Sequence, residues 1–163
     1  MDETQHRLME HSVEKLSLED ALTHLLEECR MVLPGVQALF GFQLIAVFNR
    51  SFFERLTFAE QCLHLVALAC VAIAACLVMT PAALHRQSGS MHASERFLRV
   101  GGRLLLASMV PLMLGIAIDF FLIAHMVLGR TELAAAVTAI LVAFLTAFWF
   151  VFPRAYRRRF HQR

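Results

Sequence analysis

Four stretches of this chain are almost wholly apolar, covering residues 31–49, 62–84, 104–128 and 133–152, and polar residues fall between them. Each has roughly the 17–25 residues that cross a hydrocarbon layer ~30 Å thick. A helix in a water-facing protein keeps charges on one face, and these stretches do not. The pattern predicts an all-α fold, a four-helix transmembrane bundle. Only Gly129, Arg130, Thr131 and Glu132 join the last two spans, so those spans must form an antiparallel hairpin. The two halves share no motif, which gives an inverted-repeat transporter no support.

Residues 1–16 are polar and expected to be loose. From Ser17 a helical pattern begins: Leu18, Leu22, Leu25, Leu26 and Cys29 share one face, opposite Glu19, Asp20, Glu27 and Glu28. This predicts a short amphipathic helix over 18–30 within a cytoplasmic segment, 1–30. Its acidic face is repelled by anionic lipid, so packing on the protein's own basic loops is expected. A hinge is predicted at residues 32–35, because Pro34 suits the first turn of a new helix. Pro153 is expected to end the membrane domain of 31–153, leaving a basic tail, 154–163. The N-terminus is acidic and polar, so the first span is expected to act as insertion signal and anchor.

The chain has 163 residues, 58% of them hydrophobic, against about 45–50% in soluble proteins. The net charge of +2 is too small to point to nucleic acid. Placement of the basic residues matters more. Arg7, Lys15 and Arg30 precede the first span, Arg86, Arg96, Arg99 and Arg103 separate the second from the third, and Arg154, Arg157, Arg158, Arg159 and Arg163 follow the fourth. The opposite side has only Arg50, Arg55 and Arg130. Basic residues favour the cytoplasmic side, so both termini are expected there, in a multi-pass protein of the cell inner membrane. Trp149 and Tyr156 flank the inner end of the fourth span, where interfacial aromatics sit.

Asp119 is the one acidic residue deep in an apolar stretch, GIAIDFFLIAH. A charge near mid-membrane costs about 2.5–3.5 kcal/mol on insertion scales, so such groups face a bundle interior or water. Ala107, Pro111 and Gly115 precede it at steps of four and predict a small-residue face for close helix approach. Gln43 falls at a similar depth on the first span, which allows a Gln43–Asp119 hydrogen bond. Gln37 lies about 120° around that helix and is expected to meet another partner. Asp119 with Gln43 and Gln37 is therefore the candidate proton, cation or interhelical polar site. His64 and His125 lie near the outer span ends, as interfacial histidines or as a relay to Asp119. A second stripe, Ala135, Ala139, Ala143 and Ala147, predicts close packing within the bundle or between subunits.

The histidines lack ligand spacing and the four cysteines form no CxxC pair, so no metal and no cofactor is expected. No phosphate loop, nucleophile elbow or paired catalytic carboxylates occur, so no enzymatic activity is expected.

Residues 33–48, LPGVQALFGFQLIAVF, the following FxxRL of Phe52, Arg55 and Leu56, and MTPAALHR at 79–86 are the most distinctive parts of the chain. Over roughly residues 25–128 they resemble a family of small bacterial four-span membrane proteins of unknown function. Some members carry a sodium:proton antiporter label. The resemblance implies the same topology and no particular catalytic residue. Two functions remain in view: a small structural or accessory membrane protein, and a proton- or cation-handling transporter or channel subunit using Asp119. The expected partners are the lipid bilayer and either a second copy or another membrane protein, with no nucleic acid.

Overall fold

The computed structural model describes residues 3–87 and 95–160, and all regular structure in it is helical. Helix α1 spans Glu3–Val47, α2 Arg50–Arg55, α3 Phe58–Gln87, α4 Glu95–Leu128 and α5 Thr131–Thr146. A wide π turn, Ala147–Val151, carries α5 directly into α6, Phe152–Phe160. Four stretches are long and apolar enough to cross a membrane: Ser17–Val47, Phe58–Gln87, Glu95–Leu128 and Thr131–Tyr156. They form the expected four-helix bundle. His92, Arg163 and most of the loop between the second and third spans lie outside the described residues.

Two prolines do not break the chain where their position suggested. Helix α1 runs unbroken from Glu3 through Pro34, so neither the loose start nor the hinge at 32–35 is present. Proline there removes one backbone donor, to the carbonyl of Arg30, and the helix continues past it through Gly35 and Val36 to Val47. Pro153 likewise lies inside a continuing helix, directly after the π turn. The wider turn gives room where an α-turn would press the proline ring against the carbonyl of Trp149.

The centre of the bundle is the antiparallel pair α3–α4. Helix α3 buries His64, Ala67, Val71, Ala74, Val78 and Pro81, alternately three and four residues apart. Facing it, α4 buries Gly101, Ser108, Gly115 and Leu122, each seven apart. Helix α1 packs across both through Cys29, Val36 and Gln43, again seven apart. A period of 3.5 is the seam of left-handed helix packing. Small residues set the α3–α4 distance: a Cβ on Gly115 would lie 2.7 Å from Val71 Cγ2 and 3.0 Å from the Ala67 carbonyl oxygen. Helix α5 packs on α4, with Ala134 fully buried.

The two small-residue stripes read at steps of four do not coincide with this seam. Ala135, Ala139, Ala143 and Ala147 are all exposed in the single chain, and the contact with α4 falls one residue earlier, at Ala134. On α4, Gly115 is buried and Pro111 half-buried, but Ala107 is exposed. Four residues turn a helix about 400°, so such a stripe drifts about 40° per step and leaves the interface after a few turns. A seven-residue repeat drifts half as far over nearly twice the length.

Candidate proton site

The end of the bundle that carries α2 is closed by local hydrogen bonds. Asn49 Oδ1 accepts from the Ser51 amide at 3.1 Å and starts α2. Thr57 and Glu60 then form a reciprocal cap on α3. Glu60 Oε2 accepts from the Thr57 amide at 2.8 Å and from its hydroxyl at 2.7 Å, while the Glu60 amide donates to Thr57 Oγ1 at 3.4 Å. These caps fold residues 50–57 back over the bundle. They place buried Phe52 against the His64 ring, with centroids 5.2 Å apart at 66°. Gly129, at φ +64°, makes the tight turn between α4 and α5, a conformation that glycine adopts without penalty.

Beneath Phe52, three helices bring three polar side chains together. Gln43 Nε2 on α1 donates to Asp119 Oδ2 on α4. His64 Nδ1 on α3 lies 2.9 Å from Asp119 Oδ1, and its Nε2 lies 3.1 Å from the Gln43 carbonyl oxygen. His64 and Gln43 are buried, at 7% and 4% exposure, and Asp119 is half-buried. At ~1.5 Å per residue, Asp119 is about 14 Å along α4 from Leu128, well inside the apolar span.

The partners fix where the protons are. A carbonyl oxygen only accepts, so His64 Nε2 must carry a proton. One more proton then satisfies Nδ1 and Oδ1 together. It belongs either to an imidazolium facing a carboxylate or to a carboxyl facing a neutral imidazole. Both arrangements leave the pair with no net charge, which is what an apolar surrounding favours. Removing that proton leaves two bad choices. Either two lone pairs face each other across 2.9 Å, or His64 changes tautomer and turns a lone pair toward the α1 carbonyl.

A second histidine–carboxylate pair lies nearer the α2 end. His125 Nδ1 is 2.9 Å from Glu60 Oε1 and His125 Nε2 is 3.1 Å from Thr131 Oγ1, with Phe121 stacked on the ring. This pair lines a cavity of about 720 Å³ together with Arg55 and Thr57. An apolar cavity of about 270 Å³ holds Gln43, His64 and Asp119 in its wall. Leu56 and Met126 line both cavities and so form the boundary between them. Among the described residues no group of three or more His, Cys, Asp or Glu is arranged to hold a metal ion.

Of the residues singled out in the sequence, Asp119 and Gln43 meet, whereas Gln37 is exposed and stands apart. Sequence reasoning missed His64 as the direct partner of Asp119, and Glu60 as the partner of His125. Glu60 falls just outside the apolar stretch that starts at residue 62, whereas α3 begins at Phe58. The available signals were the T-x-x-E cap and the spacing of four that puts Glu60 and His64 on one face of α3.

A family model described as a family of unknown function (DUF6328) matches residues 11–153. No curated protein and no solved structure matches the chain.

Proposed function

The chain belongs to that family of unknown function, and from its geometry we propose a membrane protein that binds and releases one proton at the His64–Asp119 pair. The observation that carries this reading is the position of the His64 ring, clamped between an obligate acceptor and a carboxylate. Such a pair has every facing donor matched to an acceptor when loaded and loses a contact when emptied. Because His64 touches α1 only through the Gln43 carbonyl in this network, a tautomer change on emptying breaks that α1–α3 contact, while the Gln43–Asp119 bond still joins α1 to α4. Protonation then becomes a change in helix packing, which a partner in the membrane can read.

Access in this reading is one-sided. The α2 end supplies the Glu60–His125 pair and the larger cavity, and it lies on the outer face of a bacterial inner membrane, with both termini cytoplasmic. Toward the other end the α3 seam is Ala67, Val71, Ala74 and Val78, all fully buried and apolar. A single chain therefore favours a proton-responsive accessory protein over a pore, and sodium–proton exchange would require several copies to complete a path. A purely structural accessory role is the second reading, with the pair as permanent glue. It is favoured by the exposed alanine face of α5, which suits a second copy or another membrane protein.

Proton counting on the purified protein in nanodiscs separates the two. A pH jump followed with an indicator dye is expected to show about one proton more per chain for wild type than for Asp119→Asn. Identical counts would leave the pair as glue.

A further inference from the structure

We propose that the groove between α1 and α3, at the end of the bundle opposite α2, binds one acidic phospholipid. Arg30 and Arg86 hold its phosphate, and an acyl chain lies along the apolar wall. The groove has a volume of about 280 Å³ and is lined from α1 and α3 alone. Buried Cys29 and Val78 form its floor, with Leu33 and Met79 beside them. Met79 is 50% exposed, so the groove opens sideways, within a stretch apolar enough to cross a membrane. On α3, Arg86 lies seven residues beyond Met79, about 10 Å further along the helix. Helix α1 runs the opposite way, and there Arg30 precedes Leu33. On both walls a guanidinium therefore lies toward the bundle end and an apolar side chain toward the membrane interior.

The chemical class follows from charge and access. No acidic side chain lines the groove, and among the described residues neither Arg30 nor Arg86 pairs with a carboxylate. Of the acidic residues beside Arg30 on α1, Glu27 turns its carboxylate to within 3.7 Å of His24 Nδ1. Glu28 lies about 200° around the helix from Arg30. His85 adds a further nitrogen on the α3 wall. Two guanidinium groups from different helices, without a counter-charge, suit the oxygens of one phosphate, which arginine binds through paired donors. A zwitterionic lipid brings its own cation to these arginines, whereas an acidic one does not. Free phosphate leaves Leu33 and Met79 uncovered, and a lipid covers them. Basic pockets between spans suit lipid headgroups for these reasons. About 280 Å³ is near the small end of ligand pockets, so the rest of the chains stay in the bilayer.

Native mass spectrometry of the full chain in detergent counts the lipid bound as phosphatidylglycerol, or phosphatidylcholine with the same chains, is titrated in. One phosphatidylglycerol per chain is expected to bind at least about tenfold more tightly than phosphatidylcholine, the worth of one charge-assisted hydrogen bond. Arg30→Gln with Arg86→Gln is expected to remove that preference. Arg99→Gln with Arg103→Gln takes the same charge from the same end of the bundle, outside the groove, and is expected to keep it. All four arginines are exposed, so neither pair disturbs the packing. Ala82→Trp fills the groove, leaves both of its arginines in place and is expected to weaken phosphatidylglycerol at least about tenfold. Glycerol 3-phosphate, which has the phosphate and no chains, is expected not to displace the lipid. Equal affinity for the two lipids, an equal loss in both arginine pairs, undiminished binding to Ala82→Trp, or displacement by glycerol 3-phosphate would each overturn the assignment. His85 is twenty-one residues, or about 32 Å, along α3 from His64, so none of these readouts depends on proton release.

Discussion

His64 and Asp119 are fifty-five positions apart in the chain, and their side chains meet at 2.9 Å between Nδ1 and Oδ1. The other nitrogen of the same ring faces a backbone oxygen of α1. One imidazole thus connects three helices at the level of Asp119, deep in the apolar span of α4. The cost of placing polar groups there is offset only while every donor has an acceptor.

Replacing Asp119 distinguishes hydrogen bonding from charge. Asparagine keeps one acceptor for Gln43 and offers an amide donor to His64 Nδ1, so Asp119→Asn should cost less than about 1.5 kcal/mol. Asp119→Leu leaves both the Gln43 amide and His64 Nδ1 unpaired in an apolar site and should cost about 2–5 kcal/mol. Thermal unfolding in detergent, with both variants against wild type, measures the difference.

Gly115 should tolerate no side chain. An added Cβ would meet both Val71 Cγ2 and the Ala67 carbonyl oxygen, and the latter belongs to a helix backbone that cannot swing aside. Gly115→Ala is expected to destabilise by about 1–3 kcal/mol. Gly41→Ala has nothing within 4 Å and should be neutral or stabilising by up to about 1 kcal/mol, the helix propensity gain. The same unfolding assay reads both.

On α5, the contact residue and the exposed stripe should respond differently. Ala134 is fully buried against α4, so Ala134→Leu should overpack the interface and lower stability by about 1–3 kcal/mol. Ala139→Leu and Ala143→Leu alter exposed positions and should leave the unfolding of the single chain within about 0.5 kcal/mol. If they change the particle size in detergent, the alanine face is where copies meet.

The spans, their number and the α4–α5 hairpin were legible because lipid demands long apolar stretches, and nothing else in a sequence looks like them. The meeting of Gln43 and Asp119 followed from counting depth along two helices. The role of His64 did not, because depth says nothing about rotation. Rotation is set by a seven-residue seam that a four-residue stripe misreads. Pro34 suggests a boundary because proline suits the first turn of a new helix, and Pro153 because proline interrupts a running one. Here α1 continues through the first proline, and a π turn absorbs the second. The fold-back of residues 50–57 rests on caps at Asn49 and Thr57 that short-range patterns contain but hydropathy hides.

Access to the pair should be controlled by Leu56 and Met126, which line both cavities. The double variant Leu56→Ala with Met126→Ala joins the two spaces and should speed deuterium exchange at His64 without moving its hydrogen-bonded partners. Exchange at the wild-type rate would mean that protons reach the pair by another route.

The most direct test of a proton held between His64 and Asp119 is nitrogen-15 NMR of the His64 ring, in nanodiscs, across the pH range in which the protein stays folded. With the pair loaded, Nε2 is expected to carry a proton and Nδ1 to show the shift of a shared one. Raising the pH should change the ring signals of wild type, while Asp119→Asn should titrate differently or not at all. A His64 ring whose Nε2 bears no proton at any pH, or whose signals and titration are the same in wild type and Asp119→Asn, would contradict the proposed site.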